Sequence, residues 1–199
     1  MQNFSYNQND GYYYALLHLE RRGLQEWGMG VMRTRTLDDP KSWRAWDGSG
    51  FNVQFIDPYK NPNADPAEHL CQPVSRDQIQ KMHESLSFNT HFNKFLLVGT
   101  AGQYDPARGK VVWGFYYSLS DDLINWTPMK LLMEAKQPWD TRTPGEPLIY
   151  PSLIDPEDTS RNFEITGQRA YLYYVRWHPY TPANQGLDRD LVRVMIEFD

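Results

Sequence analysis

Short runs of apolar and aromatic residues, each bounded by turn-forming residues, recur along the chain and predict β-strands. In two places such a run is followed by a second strand, an Asp-rich turn, and a third strand that starts at a tryptophan. The predicted strands are 12–19, 27–36 and 43–47 in the first place, and 95–100, 111–119 and 126–133 in the second.

The two sets of strands are related by a fixed offset of 83 residues, which predicts an internal repeat. The segment 38–43, which ends in Trp43, matches 121–126, which ends in Trp126, and at the same offset 11–16 matches 94–99. A looser third copy begins at 169–175. Two separate matches at one offset indicate a repeated structural unit.

The second and third copies also have a candidate first strand, at 84–88 and at 148–154 respectively. Four antiparallel strands per unit are typical of a β-propeller blade. The sequence therefore predicts an all-β fold, with about two and a half four-stranded blades forming one domain over 1–199. The chain is expected to open at the second strand of one blade and to close at 191–198, the third strand of another. Further blades or self-association would complete a ring.

The turns between strands favour an architectural role for their Asp and Trp residues. Asp38 and Asp121 are expected to accept hydrogen bonds from backbone amides two residues on. Trp43 and Trp126 are expected to pack between neighbouring units. The region 57–83 interrupts the β pattern as a long, proline-containing insertion, in which Ser75 is a candidate N-cap for a short helix with Gln78 at the capping-box position.

Composition narrows the function classes. The net charge is −5 and there is no basic block, so nucleic-acid binding is disfavoured. Aromatic residues make up 15% of the chain, which suits half-buried β surfaces. No apolar run reaches the length of a membrane span, and the residues after Met1 lack the features of a signal peptide. The localisation stays open between a cytosolic protein and a secreted or periplasmic one from which the signal has been removed.

The segment 118–126, Ser-Leu-Ser-Asp-Asp-Leu-Ile-Asn-Trp, resembles a turn of the five-bladed propeller glycoside hydrolases, the arabinanase, xylosidase and invertase-like enzymes of the family 43 type. The segment 150–155 followed by 171–174, and the segment 85–89 followed by 93–97, resemble blade openings of the same enzymes. The resemblance implies hydrolysis of a plant or microbial polysaccharide or oligosaccharide by paired carboxylates. Because blade motifs specify fold more than chemistry, a non-catalytic carbohydrate-binding or protein-interaction segment is the alternative.

In the resembled enzymes, carboxylates near the starts of the innermost strands carry out catalysis. This implies Glu84 and Glu146 as catalytic candidates, with a solvated helix end and a loop carboxylate as the respective alternatives. Tyr150 stands where the family often has Asp, which departs from the catalytic pattern. Asp57 resembles a family corner residue, and the favoured role for it and for Asp155 is to cap a turn.

Aromatic and polar side chains at strand ends are candidates for sugar stacking and for hydroxyl binding, with packing between blades as the alternative for each tryptophan and for Arg33. The candidate substrate-binding residues are Arg33, Trp46, Asp57, Trp139, Tyr150 and Trp177. No metal site is predicted, because the spacing of His69, Cys71 and His83 does not require one. No cofactor is predicted either, although a structural calcium ion would be compatible with a propeller channel.

Overall fold

The computed structural model describes residues 4–140, 144–160, 162–178, 183 and 188–199. The chain is all-β, with 48% of residues in strands and 6% in helices, and its curled sheets include a half-barrel. Among the described residues, no helix is long and apolar enough to cross a bilayer. The strands are β1 Phe4–Asn7, β2 Tyr12–Leu19, β3 Gly28–Thr34, β4 Arg44–Trp46, β5 Phe51–Val53, β6 Ser85–Asn89, β7 Lys94–Asp105, β8 Lys110–Ser120, β9 Lys130–Glu134, β10 Leu148–Ile154, β11 Ile165–Thr166, β12 Arg169–Trp177 and β13 Arg189–Glu197.

These strands form three sheets. Sheet 1 has the order β1-β2-β3-β4-β5, sheet 2 the order β11-β6-β7-β8-β9, and sheet 3 the order β10-β12-β13. All neighbours are antiparallel except β11, which pairs in parallel with β6. The hairpin connections explain the antiparallel pairing, because short turns can join only antiparallel strands.

Four consecutive antiparallel strands occur in two of the three sheets, as β1–β4 in sheet 1 and as β6–β9 in sheet 2. The expectation that the chain opens at a second strand is wrong, because Phe4–Asn7 pairs with β2 as a first strand. This strand escapes the apolar pattern because two of its four residues, Ser5 and Asn7, are polar and yet buried. The strand predicted at 126–133 also needs a correction: β9 begins at Lys130, and Trp126 makes only an isolated bridge to Ser120.

The Asp turns repeat in atomic detail, one residue later than expected. Lys41 N donates to Asp39 Oδ1 at 2.9 Å, and Ile124 N donates to Asp122 Oδ1 at 2.9 Å. Both the acceptors and the donors are 83 residues apart in the sequence. The assignment of this role to Asp38 and Asp121 is wrong, since the Asp121 carboxylate instead pairs with Lys94.

The insertion between β5 and β6 contains a 3-10 turn at Pro66–His69 and one helical turn, α1, at Arg76–Ile79. The capping-box expectation is wrong, because Ser75 adopts a left-handed conformation with φ 42° and makes no side-chain cap bond. Its hydroxyl donates instead to Ile124 O at 2.8 Å and accepts from Trp126 N at 3.0 Å. Ser75 thereby ties the insertion to the Asp turn of the second unit.

The sheets stack face to face in chain order. One core cluster lies between sheets 1 and 2 and includes Leu16, Leu97 and Tyr116, with Ile79 of α1 and Trp126 packed into it. A second cluster lies between sheets 2 and 3 and includes Leu96, Phe115, Leu153 and Leu172. A smaller third cluster covers the other face of sheet 1, from the end of β2 to β5, and contains Cys71. Sheet 2 is therefore covered on both faces.

Candidate functional site

A polar pocket opens at one edge of the stack, where β7 and β12 end and β8, β10 and β13 begin. We call this edge the upper rim. The cavity has a volume of about 260 Å³, close to the lower limit of about 300 Å³ that is usual for small-molecule sites. It is lined by Lys110, Val111, Val112, Trp113, Glu134, Ala135, Lys136, Asp140, Pro144 and Glu146.

The length of the β7–β8 hairpin brings one wall of this pocket into place. β7 has 12 residues against eight in the corresponding β2, so the hairpin extends further at the upper rim. Its turn is held by Asp105 Oδ1, which accepts from Ala107 N at 2.9 Å and from Arg108 N at 3.2 Å. The Arg108 guanidinium then pairs with Glu134 at the end of β9, which fixes that carboxylate at the pocket wall.

The opposite wall is the segment that connects β9 to β10. Lys136 Nζ donates to Gly145 O at 2.7 Å, and Leu148 N donates to Lys136 O at 2.9 Å, so the connection is anchored at both ends. Trp139 in this segment is 60% exposed and packs edge-on against Trp113, with ring centroids 5.6 Å apart. An exposed indole beside a polar cavity provides a flat apolar surface for a ligand ring.

Glu146 belongs to a cluster of four charged or titratable side chains. Its Oε1 lies 2.6 Å from His178 Nδ1, and its Oε2 lies 3.6 Å from Arg176 Nε. Asp190 Oδ2 is 3.1 Å from the other ring nitrogen of His178 and also pairs with Arg176. The hydrogen bonds to Glu146 and Asp190 raise the pKa of His178, and those from Arg176 and His178 lower the pKa of Asp190.

Glu84 lies elsewhere, below the rim at the start of β6, where only 8% of the residue is exposed. Its Oε1 accepts from Thr100 N at 3.0 Å and its Oε2 accepts from His83 N at 2.9 Å. Gly99 leaves room for this carboxylate, because a Cβ there would lie 2.5 Å from Glu84 Oε2. These contacts assign Glu84 a structural role: it satisfies two backbone amides at the point where the insertion joins sheet 2.

The structure does not bring Glu84 and Glu146 together. Leu153 N donates to Ser85 Oγ at 2.9 Å, so the start of β6 is level with the end of β10. Glu146 precedes β10 at its other end, and five residues of strand span roughly 16 Å. Paired catalytic carboxyls lie about 5 to 9.5 Å apart, and each of these two glutamates is bonded to partners of its own.

Two of the predicted sugar-binding residues are packing residues. The Arg33 guanidinium lies between two rings, 4.0 Å from the Tyr12 centroid and 4.1 Å from the Phe51 centroid, and it donates to Tyr14 Oη at 3.1 Å. Trp46 packs edge-on against Phe51 beside the first core cluster. Both lie in sheet 1, away from the pocket. The packing alternative therefore describes them better than sugar binding does.

The other predicted residues differ in their surroundings. Asp57 Oδ1 accepts from Tyr59 N at 2.9 Å, and Asp155 accepts from Glu157 N and Gly167 N, so both cap turns as expected. Tyr150 is 49% exposed at a bulge in β10, with φ 58°. Trp177 lies beside the Glu146 cluster, and Arg189 lies 5.0 Å from its ring centroid.

No metal-ligating group of three His, Cys, Asp or Glu side chains occurs in the described part of the chain. His69 Nδ1 contacts Gln54 O at 2.7 Å, and His83 Nδ1 contacts Lys81 O at 2.9 Å. Cys71 is fully buried, and this burial raises the pKa of its thiol to about 11. A protonated thiol in the core is a poor nucleophile.

Most of the pocket could not be predicted from the sequence. Lys110, Trp113, Glu134, Lys136 and Asp140 come from three separate elements, and none of them belongs to a recognisable motif. The extra length of the second β-hairpin relative to the first was the one available indication.

Comparisons of the chain with protein-family models, curated proteins and solved structures find no match.

Proposed function

We propose that this chain is a carbohydrate-binding β-propeller segment that holds a sugar in the upper-rim pocket. The observation that carries the proposal is the lining of that pocket, where Glu134, Asp140 and Glu146 share one cavity with Trp113 and two lysines. Carboxylates accept hydrogen bonds from sugar hydroxyls, ammonium groups donate to them, and an indole packs on the apolar face of a pyranose ring. This mixture of a few convergent polar groups and aromatic surface is typical of a small-molecule site.

The ion pairs of the pocket hold its carboxyl groups in place for a ligand. Glu134 pairs with Arg108, and Glu146 contacts both Arg176 and His178. Side chains that are already positioned lose little conformational freedom when they accept hydrogen bonds from sugar hydroxyls.

Three features support the propeller interpretation. The four-strand unit recurs with the same turn hydrogen bonds, the sheets stack face to face, and their first strands are neighbours, since β6 contacts both β1 and β10. Radially arranged sheets whose first strands surround an axis are typical of propellers.

Binding is tested with a glycan array followed by calorimetry on the best glycan. We expect Trp139→Ala and Glu146→Gln to weaken binding by about tenfold each, a loss of about 1.4 kcal/mol. Tyr59→Ala is the matched control, because Tyr59 is 94% exposed and lies outside the pocket. If no glycan binds, or if Tyr59→Ala weakens binding as much as Trp139→Ala, the proposal is wrong.

Glycoside hydrolysis is the second candidate function, favoured by the presence of three carboxylates in one pocket. A glycosidase panel with Glu146→Gln and Glu84→Gln separates the two functions. Hydrolysis abolished by Glu146→Gln would establish an enzyme. A bound glycan without turnover would establish a binding segment.

A further inference from the structure

The outer face of sheet 3 carries exposed apolar side chains on either side of one arginine, and no other sheet covers it within the described residues. Leu191 is 73% exposed and Met195 47% exposed, opposite Val175 and Tyr171 in the β12–β13 register. Arg193 lies between them opposite Tyr173, with its guanidinium 4.2 Å from the Tyr171 ring centroid and a hydrogen bond of 3.0 Å to Tyr173 Oη. Exposed apolar side chains grouped on one face mark candidate interaction sites.

The position of these residues within the repeated unit indicates what covers such a face. Tyr171 and Tyr173 are the third and fifth residues of β12, the second strand of its unit. The third and fifth residues of β2 are Tyr14 and Leu16, which are buried in the core between sheets 1 and 2.

Sheet 2 is covered in the same way. The face of β7 that is directed away from sheet 1 carries Leu96 and Val98, which are fully buried in the core shared with sheet 3. In both earlier units this face is therefore covered by the next sheet. The corresponding face of sheet 3 is built to be covered by another sheet of the same kind.

The opposite end of the stack offers a matching face. Phe95 of β7 and Ala170 of β12 face the preceding sheet. On β2, the face directed away from sheet 2 carries Tyr13, which stacks on Phe4 at 5.6 Å and contacts Tyr6 at 4.8 Å. The cluster around Cys71 covers the end of β2 and strands β3 to β5 on this side of sheet 1, whereas Tyr6 on β1 is 40% exposed.

We propose that the outer face of sheet 3 binds the β1–β2 face of sheet 1 of a second copy of the chain, and that two copies close head to tail. Each copy contributes three sheets, so two copies give a ring of six sheets. Propellers have about four to eight blades, each of which is one sheet, and six is within that range. A head-to-tail contact forms a closed ring when the rotation between neighbouring copies returns to the first copy, and it forms an open filament when the rotation does not. Both uncovered faces are buried in such a dimer.

Sedimentation equilibrium tests this proposal without any carbohydrate, so its outcome is independent of the proposed function. The wild-type chain is expected to be a dimer. Leu191→Lys and Tyr6→Lys are each expected to raise the dimer Kd by about tenfold or more, because each places a charge in both interfaces. Leu24→Lys is the control, since Leu24 is 66% exposed and lies on neither face.

Mixing the two variants distinguishes the head-to-tail arrangement from a symmetric contact between two sheet 3 faces. A heterodimer of Leu191→Lys with Tyr6→Lys has one interface made of two unaltered faces, so the mixture is expected to dimerise more strongly than either variant alone. A monomeric wild-type chain, a Tyr6→Lys variant that dimerises normally, or a mixture that stays monomeric would each overturn the proposal. Circular dichroism checks that the variants fold.

Discussion

Oε1 of Glu146 lies 2.6 Å from Nδ1 of His178, across the gap between the start of β10 and the end of β12. The second ring nitrogen of His178 contacts Asp190 Oδ2 at 3.1 Å, so the imidazole joins three elements of the upper rim. The protonated ring can donate to both carboxylates at once, whereas the neutral ring can donate to only one. The protonation of His178 therefore controls how firmly the rim is held.

The pH dependence of this cluster follows from the direction of the two pKa shifts. The pKa of His178 is raised above its ordinary value of 6.5, first by Glu146 and then by Asp190. Its stabilisation is fully present below 6.5 and is lost as the pH rises through the raised value. The pKa of Asp190 is lowered from 3.8, mainly by Arg176, so its contribution is lost as the pH falls through the lowered value.

NMR titration of the His178 ring measures this effect directly. We expect a midpoint above 6.5 in the wild-type chain, and a lower midpoint in Glu146→Gln because the main cause of the shift is removed. Asp57→Asn, which removes a carboxylate in the insertion, should leave the midpoint unchanged. A His178 midpoint that does not respond to Glu146→Gln would contradict the assigned contact.

The Asp turn of the second unit allows a matched pair of substitutions in adjacent residues. Asp122 Oδ1 accepts from Ile124 N and Asn125 N, and its Oδ2 accepts from the Asn125 side chain. Asp122→Ala should lower the free energy of unfolding by about 1 to 2 kcal/mol, as loss of a capping side chain does. Asp121→Ala removes only an exposed pair with Lys94 and should cost about 0 to 1 kcal/mol. Urea denaturation measures both, and equal losses would contradict the assignment.

Much of the β framework could be predicted from the sequence, because strands and turns are encoded locally. The bounds 12–19 and 148–154 are those of β2 and β10. The choice between Asp121 and Asp122 could not be predicted, since it depends on which side chain the turn directs towards its own amides. Strand β1 escaped detection because buried Ser5 and Asn7 hide its pattern.

The candidate site was harder to predict than the fold. Glu146 was identified from its place before β10, but its partners His178 and Asp190 come from β12 and β13 and meet it only through sheet pairing. Glu84 occupied a similar place in the sequence, yet it lies beside the end of β10, whereas Glu146 precedes the start of that strand. The position of a residue before a strand does not reveal how far that strand is shifted, along the strand direction, relative to a strand of the neighbouring sheet.

Glu84 should prove important for stability and dispensable for ligand binding. Glu84→Gln replaces one carboxylate oxygen by an amide donor that faces a backbone N–H, so one of two buried contacts is lost. The expected cost is about 1 to 3 kcal/mol in the free energy of unfolding. Glycan affinity should remain at the wild-type value in the folded variant. A stable Glu84→Gln variant that binds or turns over glycan less well would instead place Glu84 in the functional site.

Ser75 provides the last test, because two separate effects meet in one residue. Its hydroxyl accepts from Trp126 N and donates to Ile124 O, while its backbone is left-handed with φ 42°. Ser75→Ala removes both hydrogen bonds and keeps the strained backbone, so we expect a loss of about 1 to 3 kcal/mol in the free energy of unfolding. Ser75→Gly also removes the hydrogen bonds, but glycine adopts positive φ without the steric cost of a Cβ.

The glycine variant should therefore be more stable than the alanine variant, by about 1 kcal/mol. Urea denaturation of both variants measures the difference, and Ser49→Ala with Ser49→Gly is the control pair, on the exposed turn that follows β4. If the Ser75→Ala variant has the same free energy of unfolding as the Ser75→Gly variant, the assignment of a left-handed conformation to residue 75 is wrong. If both equal the wild type, the insertion is not tied to the second unit through Ser75.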